Sequence, residues 1–232
     1  MTAHGKGISL GGLVGWNDGT IDHSYTAITV KGGGADGGVS GINDGLVNAS
    51  YATGAVSSTG WLGGLVGSGG GTISGSYATG SVKGRGYLGG LVGIFDGTID
   101  NSYATGAVTG GTNSDVGGLV GENGFQNEPD FIGDSYSTGP VTGGAGSDIG
   151  GLIGYDVSQP GSVADSYWDI DTSGITNLGQ GAGNIANDPG ITGLTTAQFQ
   201  AALPQGFDPK VWAEKTNVDD GFPYLIANKP VK

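Results

Sequence analysis

Cysteine is absent from this chain of 232 residues, which excludes a disulfide framework and any thiolate metal site. Basic side chains are scarce, with 8 Lys and Arg against 21 Asp and Glu and a formal net charge of −13. That balance disfavours nucleic acid and anionic membrane surfaces, so partners are expected to be neutral, cationic or metal-bridged. No run of about 18 apolar residues is present to span a bilayer, and no direct membrane insertion is expected. The opening Met1-Thr2-Ala3-His4-Gly5 lacks the charged start and apolar stretch of a signal peptide. It reads as the start of an excised fragment, just before a repeat. His4 and His23 are the only imidazoles, and neither is followed by glutamate. The His-Glu-x-x-His arrangement that places two zinc ligands on one helical face is therefore missing. Arg85 is the only arginine, so the basic residue that a pectate-type lyase needs beside its carboxylates is nearly missing too.

Glycine is abundant, at 53 residues, and 36 % of the chain is still apolar. The glycines have neither the three-residue period nor the proline load of collagen. They recur at fixed places. A glycine pair opens a unit at Gly11, Gly37, Gly63, Gly89, Gly117 and Gly150, spaced 26, 26, 26, 28 and 33 residues apart. Tyr25, Tyr51, Tyr77, Tyr103, Tyr136 and Tyr167 keep the same time, and an insertion around Gln126 to Asp130 absorbs much of the later drift. A period of this size marks a stacked repeat architecture. Within a unit the apolar residues come in short bursts such as Leu65-Val66, Ile73 and Val82. Glycine at this density costs a helix roughly 1 kcal/mol per site, so the bursts are read as two or three β-strands per coil. The expected fold is all-β, a parallel β-solenoid of about six coils of 26–33 residues. At the usual interstrand spacing of about 4.8 Å the stack is roughly 29 Å long.

Stacking turns sequence columns into ladders. Leu13, Leu65, Leu91, Leu119 and Leu152 form one aliphatic seam; Ile21, Val47, Ile73, Ile99, Ile132 and Val163 form another. Ser24, Ser50, Ser76, Ser102, Ser135 and Ser166 are expected to form a hydroxyl ladder beside the tyrosine column, each donating to the next serine or to backbone. Both columns are read as structural. Two units depart from the pattern. Ser40 takes the place of valine in the second, which should weaken that coil. The third carries Ser68-Gly69-Gly70-Gly71 where its neighbours have Ile42-Asn43-Asp44-Gly45 and Ile94-Phe95-Asp96-Gly97, so side chains at that turn are dispensable.

The unit Gly-Gly-Leu-Val-Gly-x-Asn-x-Gly-Thr-Ile-x-x-Ser-Tyr-Ala-Thr-Gly-x-Val, clearest at 63–82 and 89–108, resembles the GLUG repeat over roughly residues 11–171. That resemblance implies a β-solenoid in a large bacterial surface protein, such as a filamentous-haemagglutinin-like adhesin exported by two-partner secretion. It places the chain at the cell surface or among secreted proteins. It also implies that residues 173–232 form a C-terminal cap, following a solenoid at 1–172. Trp168, Phe199, Phe207, Trp212 and Phe222 are the material to cover an open last coil. Thr195–Leu203 reads as one short helix, capped by Thr195 or Thr196 and stopped by Pro204.

The functional expectation is a non-enzymatic binding segment that offers repeated faces to a host or environmental glycan or protein surface. The different-class alternative is a polysaccharide-active enzyme near the cap, with Asp169 and Asp171 as the carboxylates and Trp168 as a sugar platform. No cofactor is implied; calcium is the metal that the recurring turn carboxylates Asp18, Asp44 and Asp96 would hold. A second set of turn oxygens recurs at Asp22, Asn48 and Asp100. A lesser alternative is ice binding by the threonine rows Thr53, Thr79, Thr105, Thr138 and Thr20, Thr72, Thr98.

Overall fold

A computed structural model describes residues 1–5, 9–124 and 130–230. Most of the insertion expected around Gln126–Asp130 lies outside the described residues. The chain winds into a parallel β-solenoid of about seven turns with almost no helix. Each turn crosses four sheets, not two or three, because the short bursts are separated by tighter corners than the sequence suggested. In the third turn the strands are Val56–Gly63 (sheet 1), Val66–Gly69 (sheet 2), Thr72–Ser74 (sheet 3) and Tyr77–Ala78 (sheet 4). Among the described residues the four sheets contain 10, 6, 6 and 7 strands. The rungs pair in parallel with the equivalent positions above and below, and the core columns are of like residues: Ile73 faces Val47 and Ile99, and Tyr77 faces Tyr51 and Tyr103.

The cross-section has two cores. Leu65, Val66, Ile73 and Ala78, repeated coil by coil, fill the larger one between sheets 2, 3 and 4. The smaller one lies within sheet 1, where Val56 and Leu62 of a single strand meet Val82 and Leu88 of the next. One strand supplies both residues because it bends sharply at Gly60, whose φ of 127° is open to glycine alone at little cost. The glycine pair sits at the waist between the cores. A Cβ on Gly63 would lie 1.8 Å from the Val66 carbonyl oxygen and 2.7 Å from that of Leu91, so backbones meet there with no room for a side chain. Leu13, in the first coil, is exposed, whereas Leu65, Leu91, Leu119 and Leu152 are fully buried.

The serine ladder has a defined direction. Each hydroxyl donates to the carbonyl two residues earlier, as Ser50 Oγ does to Asn48 (2.7 Å) and Ser76 Oγ to Ser74 (2.8 Å). The same oxygen accepts an N–H from the preceding coil: Ser24 N donates to Ser50 Oγ, Ser50 N to Ser76 Oγ, Ser76 N to Ser102 Oγ and Ser102 N to Ser135 Oγ, at 3.1–3.3 Å. Serine is therefore a rung in the ladder: its Oγ takes the serine N–H of the neighbouring coil, while its carbonyl accepts directly from backbone, as Ser50 O does from Tyr77 N at 3.1 Å. The residue before it has positive φ in every coil: His23, Ala49, Gly75, Asn101, Asp134 and Asp165.

Coil 2 places two polar side chains in the aliphatic columns, of which the sequence suggested one. Ser40 occupies the buried valine column between Val14 and Val66. Asp36 occupies the leucine column between Leu10 and Leu62 and is fully buried. Burial raises its carboxyl above the ordinary range, against partial relief from Ser58 and the N–H groups of Gly34 and Leu10. Asp36→Leu would remove a desolvated carboxyl and extend an aliphatic seam. It is expected to stabilise the fold by about 1–3 kcal/mol, read as a higher urea midpoint with an unchanged slope.

The solenoid continues past the expected boundary at residue 172. Ser173 accepts from Val141 N, Ala182 bridges to Ile153, and Ile191–Leu194 pairs with Ser166–Asp169 in sheet 4. These segments make a partial seventh turn. Beyond it the chain does not close the end of the stack. It turns back as a strap along the outer face of sheet 4, over the tyrosines. The helix α1, Thr196–Phe199, is a single turn capped by Thr195 in a reciprocal box with Gln198, shorter than the expected Thr195–Leu203, and Phe199 and Leu203 both pack on the tyrosine face. The strap continues through Phe207 to a small antiparallel pair, Trp212–Ala213 with Tyr224–Leu225. Asn228 Nδ2 then donates to the Gly75 carbonyl back in the third coil. Tyrosine hydroxyls anchor it: Tyr77 donates to Lys229 O, Tyr136 to Pro223 O and Tyr167 to Gln205 O. Beneath it the rings of Tyr25, Tyr51, Tyr77, Tyr103 and Tyr136 stack with centroids 4.8–5.1 Å apart. Tyr77, Tyr103 and Tyr136 are fully covered, Tyr51 is half-buried, and Tyr25 is exposed.

Candidate functional site

Two outward columns run side by side along the stack. In sheet 1 the column is Ala35, Trp61, Tyr87, Asp115 and Asp148. In sheet 2 it is Trp16, Ile42, Ser68, Ile94, Glu122 and Tyr155. They belong to different strands, and a third column, all glycine, brings them together. A Cβ on Gly93 would lie 2.5 Å from Leu62 N and 2.7 Å from Trp61 C, and Gly121 meets Leu88 and Tyr87 backbone in the same way. The backbones of sheets 1 and 2 thus touch at each corner, and the side chains beyond the contact emerge as one strip.

The strip is aromatic at one end and acidic at the other. Trp16 and Trp61 are 65 % and 43 % exposed, unusual for the largest apolar side chain. Trp16 Nε1 donates to Asp44 Oδ2 at 2.9 Å. At the acidic end, burial and then the charges of Asp115 and Asp96 push the Glu122 carboxyl up from 4.5 to about 7. Burial and then Asp148 push Asp115 up to about 6. The Tyr87 phenol is raised by burial, Glu122 and Asp115 together. Between the two ends, where the third unit has Ser68 and Gly70, lies a notch of about 260 Å³ bordered by Ile42, Asp44, Trp61, Ser68, Ile94 and Asp96.

A pH dependence follows from the carboxyls. Folded Glu122 and Asp115 hold their protons at higher pH than the unfolded chain does, so the folded state carries more bound protons through the window up to about pH 7. Their contribution to stability is present at about pH 4–5 and is lost as pH rises through 6 to 7. The melting temperature is expected to be higher at pH 5 than at pH 8, and Glu122→Gln should shrink that difference in scanning calorimetry.

The sites expected from sequence fall elsewhere. Trp168 is fully buried and points into the solenoid, in the inner column of Ala52, Ala78, Ala104 and Ser137. Glycines at 151, 181 and 193 leave the space it fills, and its Nε1 donates to the Ile175 carbonyl. It offers no face to a sugar. Asp169 is also fully buried: Oδ1 accepts from the N–H groups of Asp171 and Thr172, and Oδ2 from the Thr196 hydroxyl. Asp171 accepts from Thr196 N. Both carboxylates tie the start of α1 to the last full coil, which corrects their reading as a catalytic pair. Asp18 and Asp44 are exposed on successive turns, and Gly70 separates Asp44 from Asp96. Among the described residues no group of three His, Asp or Glu side chains is placed to hold a metal ion. Asn48 Nδ2 donates to Asp22, and Asp100 accepts from Asn101, so the second set of turn oxygens is bonded within the turns. The threonine row of sheet 3 is broken by Leu46 and Phe131, which pair with its members.

Comparison with known families fixes the repeat. Residues 84–109 match the family model described as the GLUG motif. The chain therefore carries a GLUG repeat, and the matched span runs from sheet 1 of one coil round to sheet 1 of the next. The other five units share the register of this GLUG repeat in sheets 2, 3 and 4. No curated protein and no solved structure gives a significant match to the chain.

Proposed function

We propose that this chain is a non-enzymatic structural and binding segment of a bacterial surface adhesin of the filamentous-haemagglutinin-like kind, secreted or held at the cell surface as part of a larger exported chain. The solenoid acts as a stiff rod, and the strip between sheets 1 and 2 is its contact face. The observation that carries this reading is the placement of Trp16, Trp61, Tyr87 and Tyr155 on the two adjoining columns of one strip, in coils 1, 3, 4 and 6, with both indoles exposed and both phenols half-buried. Aromatic side chains spread along one rigid face suit a polymer or surface, because several weak contacts on one frame gain avidity together. The partner is a glycan or protein surface, and the net charge of −13 weighs against polyanions.

A polysaccharide-active enzyme remains the second reading, moved from Asp169 and Asp171 to the acidic end of the strip. What favours it is Glu122, a carboxyl protonated near neutrality beside other carboxylates, as a general acid requires. A glycan array and a polysaccharide-turnover screen, run with calcium and with chelator, separate the two. Retained ligand without released reducing ends supports the adhesin. Turnover that disappears in Glu122→Gln supports the enzyme. Loss of binding in chelator alone would bring calcium at the turn carboxylates back into the account.

A further inference from the structure

Coil 3 interrupts the strip in a way that makes a container. Its neighbours place Ile42 and Ile94 on the outer face of sheet 2 and Asp44 and Asp96 at the following turn; coil 3 places Ser68 and Gly70 there. The result is a recess one coil wide with matching walls on both sides. Its mouth is flanked by the exposed indole of Trp61, and its volume of about 260 Å³ falls just under the range of about 300–1,000 Å³ typical of pockets for drug-sized ligands. A recess of this size takes one small ring.

We infer that the notch at coil 3 is a subsite for a single neutral pyranose, with Trp61 as the stacking platform and Asp44 and Asp96 as walls that accept hydrogen bonds from its hydroxyls. This rests on the proposed binding face and gives it a ligand class. Four observations converge. Trp61 leaves part of its ring uncovered beside a cavity, where the C–H face of a sugar can lie on it. Asp44 is exposed and oriented by the indole N–H of Trp16, so it presents fixed acceptor lone pairs. Among the described residues no Lys or Arg borders the notch, and two carboxylates do, which disfavours uronic acids and other anionic sugars. The floor between the walls is built for vacancy: a Cβ on Gly70 would meet nothing within 4 Å, so the glycine is not required by packing.

The test uses the whole chain with cellobiose, lactose, chitobiose and xylobiose as probes and a glucuronate disaccharide as the charged control. Trp168 and Trp212 are buried, so the indole N–H signals of Trp61 and Trp16 report the site in a proton–nitrogen NMR titration. At least one neutral probe is expected to shift them, and the glucuronate control is not. Trp61→Ala should weaken binding at least tenfold. The double change Ser68→Ile with Gly70→Asn gives coil 3 the side-chain volume of its neighbours without adding charge. It should abolish binding while leaving the melting temperature the same or higher, which separates occlusion from misfolding. Neutral sugars that bind both variants as well as the parent would overturn the notch and leave a glycan-binding face intact elsewhere. Preference for the glucuronate probe would overturn the assigned ligand class. No shift with any probe, together with a silent glycan array, would overturn the glycan reading on which the subsite rests.

Discussion

Replacing Gly89 by alanine is expected to cost more than about 4 kcal/mol, a loss reserved for a few kinds of substitution, and to leave the central coils without a cooperative transition. Gly89 is the first of the pair that opens the fourth unit. A Cβ there would lie 1.9 Å from the Val92 carbonyl oxygen, 2.6 Å from that of Leu119 and 2.7 Å from Gly121 N. All three are backbone atoms, two of them in the next coil, so no side-chain rotation relieves the contact. Relief would need the corner to open, and the corner holds the Leu88 core against the Val92 core. Glycine is required here for lack of a Cβ, not for its φ. Urea unfolding followed by circular dichroism measures the effect. Gly70→Ala is the control, expected to be close to neutral because the equivalent Cβ at that turn has open space. If Gly89→Ala left the midpoint near that of the parent, the close backbone approach at the waist would be wrong.

That contrast shows what a repeat makes legible. A stacked fold turns each column into a single decision made many times, so Leu65, Leu91, Leu119 and Leu152 can be placed inside from sequence alone, as can Ile73 and Ile99. The serine column was readable for the same reason, as was the hydroxyl's bond to a turn carbonyl, but the expected hydroxyl-to-serine donation is replaced by a backbone N–H to Oγ contact between coils. Columns in different strands carry no such signal about one another. Trp61 and Ser68 are neighbours in space because the glycine corner folds sheet 1 onto sheet 2, and nothing in the spacing announces that fold. The Ser68–Gly71 anomaly was visible in the sequence; read as a turn it explained a missing side chain and concealed a recess. Trp168 was misplaced through a rule that was available. Tyr167 faces out, so the next residue in the strand faces in, and a tryptophan there belongs to the core.

The C-terminal segment marks the other limit, since an end cap and a lateral strap need the same aromatic composition. What distinguishes them is which surface would otherwise be wet. A ladder of stacked tyrosines on an outer face exposes a continuous apolar stripe, and the strap covers it over coils 3 to 6, from Tyr77 to Tyr167. The last coil needs less cover, because Trp168 fills its interior from within. Trp212 is the keystone of the strap. It is fully buried, stacks on Phe207 at 4.6 Å, leans on Tyr103 and Tyr136 at 6.0 and 5.8 Å, and donates from Nε1 to Asn101 Oδ1 at 2.8 Å. Trp212→Ala is expected to destabilise the strap by about 3–5 kcal/mol, comparable with the whole free energy holding a peripheral segment in place. Strap and rod should then part company. The coils keep their own ladders and aliphatic seams, so far-ultraviolet circular dichroism should change little. Amides of residues 196–230 should lose protection from hydrogen exchange, and Tyr77, Tyr103 and Tyr136 should become accessible to nitration. Full cooperative unfolding of the solenoid in this variant would show that the strap is part of the fold's core. Unchanged exchange in 196–230 would show that the tyrosine face does not hold it.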